Sequence, residues 1–249
     1  MKKILFVPLA VVMACFAVSC KKDAPTQKWL LPVPQAVDLG IEVDGRKVLW
    51  GSFNVGADSP SGDGIHLSWG ELEPKKEYDW NHYLFGYPDS YKVTRYCPGD
   101  KFSSWAGDGS PDGYSVLQYG DDVARQRLKG HRWRIPTFAE VKALLATRTD
   151  PNYQWSYTRL DGVAGFWVIS KKSGTEGNRI FLPFSGSITT GGEPQNKGIG
   201  CSFWSSTLDS SEPARAYTFF ISRYSDGEER VGWGSNSRNN GFLIRPVYE

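Results

Sequence analysis

Gly130 to Thr147 reads GHRWRIPTFAEVKALLAT, and this stretch decides the fold because its start signals, its periodicity and its length agree. Thr137 is a good N-cap, and Glu140 three residues later completes a capping box, whose side chains satisfy amide donors that the first helical turn leaves open. Phe138, Val141, Leu144 and Leu145 then fall on one apolar stripe at helical spacing, so the segment predicts an amphipathic helix over Thr137 to Thr147. Just upstream, Trp133 and Ile135 alternate with Arg132 and Arg134, the pattern of a half-buried strand that delivers the chain to the cap.

Outward from there, helices are scarce. Only Asp121 to Leu128 offers a second one, with Asp121 or Asp122 as its cap. Short runs rich in β-branched and aromatic residues, bounded by Gly, Pro, Asn or Ser, read as strands at Val37 to Leu39, Lys47 to Asn54, Gly64 to Trp69, Gly165 to Ser170, Asn178 to Pro183, Ser202 to Ser206, Arg215 to Ser222 and Gly241 to Pro246. Two helices among many irregular strands indicate an α+β fold rather than a parallel βαβ sheet. Asp79 to Gly120 lacks periodicity but is dense in Tyr, Phe and Trp, which predicts a packed insertion, and Ser185 to Cys201 is a second excursion.

The N-terminus reads as an address. Lys2 and Lys3 precede an apolar run from Ile4 to Val18, short for a membrane span and suited to a signal-peptide core, and Ala17-Val18-Ser19-Cys20 looks like a lipobox. The expectation is a signal peptide over residues 1–19, lipidation at Cys20, a Lys- and Pro-rich tether over 20–34 and a single domain over 35–249, anchored in the cell envelope on an outer membrane facing periplasm or exterior. Lys and Arg number 29 against 27 Asp and Glu, and loss of Lys2 and Lys3 brings the two into balance, so nothing predicts a nucleic-acid partner. Trp29, Leu30 and Leu31 interrupt the tether and read as a segment folding back on the domain.

Cys97 and Cys201 are free to form one disulfide, with two buried thiols as the alternative. The histidines, His66, His82 and His131, are scattered and no CxxC occurs, which excludes a zinc-finger spacing. Asp108, Ser110 and Asp112, followed by Gly113, place oxygen ligands at alternate positions as a calcium-binding loop does, but no carboxylate follows at the closing position, and an Asx-turn loop is the alternative. Of the ten tryptophans, those in strand-like motifs are assigned to packing. Trp105, Trp155, Tyr157 and Trp233 read as loop residues able to form a stacking platform for sugar rings.

A resemblance covers most of the chain from about Val37. WGSFNVGA (Trp50 to Ala57), WGE (Trp69 to Glu71), Asp121-Asp122, WRIPT (Trp133 to Thr137), IFLPFSG (Ile180 to Gly186), FWSST (Phe203 to Thr207) and IRPV (Ile244 to Val247) fall in the order found in the Fibrobacter succinogenes major paralogous domain, common in lipoproteins of Bacteroidetes. The resemblance implies a C-type-lectin-like fold, a twisted antiparallel sheet with two flanking helices and long loop insertions. It is also similar to the formylglycine-generating enzymes, whose oxidase chemistry uses two neighbouring cysteines. Cys201 stands alone in its region, so that activity is not expected. Glu193-Pro194-Gln195-Asn196 is similar to the Glu-Pro-Asn element of calcium-dependent lectins, with an extra Gln, and makes Glu193 and Asn196 further calcium candidates. The functional expectation is a non-catalytic envelope lipoprotein that binds a glycan or protein partner, requiring no cofactor unless calcium. The alternatives are a structural component of an envelope assembly and a divergent enzyme of the formylglycine-generating fold.

Overall fold

A computed structural model describes residues 30–87, 90–107 and 111–249, so the segment read as a signal peptide, Cys20, most of the segment read as a tether, Asp108 and Ser110 lie outside the described residues. Strands β1 (Ala36–Val43) and β2 (Arg46–Gly51) form a hairpin whose turn residues, Asp44 and Gly45, both have positive φ, as a two-residue turn matched to strand twist requires. After a long insertion come α1 (Val123–Arg127), β3 (Trp133–Arg134), α2 (Phe138–Ala146), β4 (Tyr153–Leu160), β5 (Val163–Ser170), β6 (Arg179–Pro183), β7 (Gly200–Leu208), β8 (Arg215–Arg223), β9 (Glu229–Ser237) and β10 (Val247–Tyr248). These make three antiparallel sheets, ordered β1-β2-β10-β3, β4-β5-β6 and β7-β8-β9, beside two short helices. The architecture is α+β with few helices.

The helix that opened the sequence reading forms as expected. Thr137 caps it, its Oγ1 accepts from the Glu140 amide, and Glu140 Oε2 accepts from the Thr137 amide at 2.7 Å. Val141 and Leu144 enter a core shared with Trp50, Phe166, Leu182, Phe203 and Phe219, while Phe138 is only partly covered. Asp122, not Asp121, caps α1, accepting from Ala124 and Arg125 amides and, through its other oxygen, from Ile135. One buried carboxylate thus ties α1 to the segment leading into α2.

Several readings are corrected. Trp155 and Tyr157 stand on β4 and Trp233 on β9, not in loops. The Asp161-Gly162 turn, with φ positive at both residues, pairs β4 with β5 from Leu160↔Val163 to Tyr153↔Ser170, and this dipeptide was the signal for the missed strand. β9 reads ERVGWGSNS, poor in branched residues, and is held because it lies in register against β8. Conversely, the runs read as strands at Gly64 to Trp69 and Gly241 to Pro246 make isolated bridges instead of ladders, Leu67 to Phe242, Gly241 to Ile188 and Leu243 to Phe203. Leu31, within the segment assigned to the tether, folds back as expected, its amide donating to Arg127 O at 2.9 Å and its side chain packing on the core.

The insertion after Asp79 packs through part of its aromatic content, while Tyr87, Tyr91, Tyr114 and Tyr119 stay exposed. Tyr83, Phe85 and Tyr96 are buried with Trp69 around Arg238, which is fully buried and has no carboxylate among the described residues within ion-pair distance. Arg238 donates instead to Tyr83 Oη, Pro213 O and Arg95 O at 2.9, 2.9 and 3.0 Å. Arg245, of the IRPV motif, is also buried and donates to Gly51 O and Phe181 O at 2.9 and 2.6 Å, binding the first sheet to the second.

Candidate functional site

The capping box has a second consequence at the surface. It fixes Phe138 at the first turn of α2, where the Phe138 amide donates to Thr207 Oγ1 at 3.1 Å and the ring stacks flat on Tyr217 of β8, centroids 3.9 Å apart and planes 8° from parallel. Trp233, on the neighbouring strand β9, meets the Phe138 ring edge-on at 5.0 Å. Its indole also meets Tyr217 at 6.3 Å and stays 53% exposed, a large aromatic surface fixed by ring packing instead of by a flexible loop. Phe138, Tyr217 and Trp233 form a ledge.

Beside the ledge runs a cleft of about 1080 Å³ between the β1–β2 hairpin and the N-terminal half of α2, with Phe138 on one wall and Tyr248 and Glu249 at its end. Its floor is an ion-pair cluster. Arg134 forks onto both Glu140 oxygens at 2.5 and 2.7 Å, and its Nε donates to Glu249 Oε1 at 2.9 Å, while Arg125 reaches the same Glu249 oxygen at 2.7 Å. Burial raises the Glu140 pKa, but the Arg134 fork and the Thr137 amide outweigh it and hold the carboxyl below its usual range. The cluster is therefore charged at neutral pH and rigid. It lines the cleft, and its acids are already engaged by the two arginines.

Of the four aromatic residues proposed from sequence as a platform, Trp233 alone is exposed. Trp155 Nε1 donates to Thr147 Oγ1 at 2.9 Å and its ring packs against Phe166. Tyr157 leans on Phe166 and Phe184 beneath the Arg223 guanidinium. Trp105 ends a six-residue 3-10 helix and packs against the small cluster of Val93, Cys97, Phe102 and Ala106. No two of the four rings touch, so they do not make one site. Phe138 and Tyr217 were missed as ledge residues because Phe138 fits the helical core stripe and Tyr217 fits a strand.

The calcium candidates divide in the same way. The described member of the first loop, Asp112, accepts from the amides of Tyr96, Cys97 and Tyr114 at 2.6, 2.9 and 3.1 Å, so its carboxylate closes a turn. In the second loop the Gln195 side chain clamps the backbone of Thr189, Thr190 and Glu193, leaving Glu193 exposed and Asn196 in the left-handed region. The Gln that interrupts the lectin-like motif is the residue that organises the loop. Cys97 and Cys201 lie in different clusters and are not joined; each thiol donates to a nearby carbonyl, of Phe102 and Pro183 respectively. Burial pushes the Cys201 thiol up to about 12. A trio that sequence spacing did not flag, Glu77, Asp79 and His82, gathers on the surface, with His82 Nδ1 2.8 Å from Asp79 Oδ1 and Nε2 3.2 Å from Glu77 Oε2.

Compared with family models, with curated proteins and with solved structures, the chain matches none.

Proposed function

We propose that this chain is a non-catalytic binding module that takes a glycan along the α2 cleft, with Trp233 as the stacking surface. The carrying observation is the exposed Trp233 indole, immobilised by Phe138 and Tyr217 at the cleft's side. A ring fixed in advance loses little freedom when a pyranose face settles on it, and the C–H groups of the sugar meet the negative face of the indole. A protonated, buried Cys201 supports binding over oxidase chemistry, since only a thiolate is reactive. The order of motifs shared with the Fibrobacter succinogenes paralogous domain supports a C-type-lectin-like arrangement of these sheets, and the lipobox-like Ala17 to Cys20 supports a lipid-anchored protein of the outer membrane. The reading calls on no calcium site, and of the first loop's calcium candidates Asp112 is engaged by three amides.

The test is retention of the full chain in gels containing plant or bacterial polysaccharides, native against Trp233→Ala. Retention in at least one polysaccharide, weakened roughly tenfold by the substitution, is expected from the loss of one stacking contact. Equal retention of both forms, or none in any gel, overturns the reading. A second reading, a protein partner, is favoured by one observation: β9 is nine residues long and lies at the edge of its sheet, the geometry that accepts an added strand. Crosslinking between β9 and another polypeptide in cells, with no polysaccharide retention, would select it.

A further inference from the structure

We infer that the cleft selects an acidic glycan, one that carries carboxylates along its chain, over a neutral glycan of the same backbone; this rests on the glycan-binding reading above and adds its charge. The charged groups facing the cleft come from three sides: Asp44, Arg46 and Lys47 from the hairpin, Glu140 and Lys142 from α2, and Arg134 and Glu249 from the floor. Most are consumed by one another. Arg134 takes both Glu140 oxygens and shares Glu249 with Arg125, and Lys47 pairs with Asp38 at 3.0 Å. The N-terminus of α2 is filled as well, its Thr137 amide by Glu140 and its Phe138 amide by Thr207, so the helix end is not the anion site.

Among the described residues that line the cleft, two cations and one acid then remain without an ion-pair partner: Arg46, Lys142 and Asp44. The cations stand on opposite walls, Arg46 at the start of β2 and Lys142 one turn into α2, both exposed. A third, Arg132, lies at the rim over the Tyr248 ring at 4.5 Å. Lys142 is also placed where stacking happens, its Nζ 4.9 Å from the centroid of the Phe138 ring that braces Trp233. A sugar resting on the ledge therefore presents its ring substituents to an ammonium that has no carboxylate of its own. A carboxylate there gains a charge-assisted hydrogen bond, whereas a neutral hydroxymethyl or methyl ester gains only an ordinary one.

The experiment titrates the full chain with oligogalacturonate and with its methyl ester, the same sugar backbone with the charge removed, at low and at physiological salt. The native protein is expected to prefer the acid by about tenfold at low salt, with the preference shrinking as salt rises. In the double variant Arg46→Gln/Lys142→Gln the ratio of the two affinities is expected to fall close to one. Melting temperature and far-UV spectrum of the variant check that it folds, and a Lys142→Arg variant, which keeps the charge, is expected to keep the preference. Equal affinity for acid and ester in the native protein, or a preference that survives the double substitution, overturns the acidic-glycan inference alone. Binding of neither ligand, with no polysaccharide retained in gels, overturns the glycan reading and this inference together.

Discussion

Two groups of aromatic side chains sit a short way apart on the same stretch of chain and face opposite fates. Around Arg238, just beyond the end of β9, Trp69, Tyr83 and Tyr96 close inward on a guanidinium and leave it no exposure. Around Trp233, in the middle of β9, Phe138 and Tyr217 pack against one ring and leave it more than half exposed. The difference is not in residue type but in what the rings surround. Rings that enclose a cation contribute to stability, since they stand where water would otherwise solvate it, and a ring left half open contributes little to stability and offers a surface to something else.

The sharpest way to break this contrast is at its interior pole. Arg238→Met keeps much of the side-chain length but leaves the Tyr83 hydroxyl and the carbonyls of Pro213 and Arg95 buried without their donor. Unfolding by urea is expected to show a loss of about 3 kcal/mol or more, the sum of several stranded polar groups. A loss under about 1 kcal/mol would mean that the rings, not the cation, organise the insertion.

The second test concerns carboxylates on the two sides of the same divide. Asp122 is buried, and burial raises its pKa to about 6 despite the amides of Ile135, Arg125 and Ala124 and the nearby Arg125 charge. Glu140, at the cleft, is held low by Arg134. The signs are opposite. For Asp122 the folded state holds the proton more tightly than the unfolded chain, so its contribution is fully present below the ordinary value of 3.8 and is lost as pH rises to about 6. For Glu140 the contribution is present above its ordinary value of 4.5 and is lost as pH falls through the folded value. The stability difference between the native chain and Asp122→Asn is therefore expected to shrink by about 3 kcal/mol between pH ~4 and pH ~6. A difference that stays flat across that range would show that the amides cancel the cost of burial.

The two poles were not equally legible from sequence. The ledge has a local half: Thr137, Glu140 and the helical stripe predict α2 and hence the place of Phe138 within one window of residues. Its other half, β9, was hidden, because Gly232, Gly234, Ser235 and Asn236 carry turn chemistry and only the ladder to β8 makes them a strand. Trp233 was singled out for the right property, exposure, on the wrong premise of a loop. The Arg238 cage was invisible: its hydrogen bonds to Tyr83 and Arg95 span 155 and 143 residues, and no periodicity reports a contact over that range. The aromatic density of the insertion announced that it packs, but not the buried cation around which it packs.

The smallest expected effect closes the comparison. Trp233 lies on an edge strand, more than half exposed, between two glycines, and makes its main contact with the edge of one ring. Trp233→Ala removes that edge contact and some apolar cover over Phe138, so the urea midpoint is expected to move by an amount equivalent to about 1 kcal/mol or less. The slope of the transition should not change, because the surface exposed on unfolding is nearly the same. Phe138 keeps its stack on Tyr217 and its amide bond to Thr207, so the ledge survives without its outermost ring. If Trp233→Ala instead costs as much as Arg238→Met, the indole is part of the core, the two aromatic groups are one structure, and the open face of Trp233 has no separate work to do.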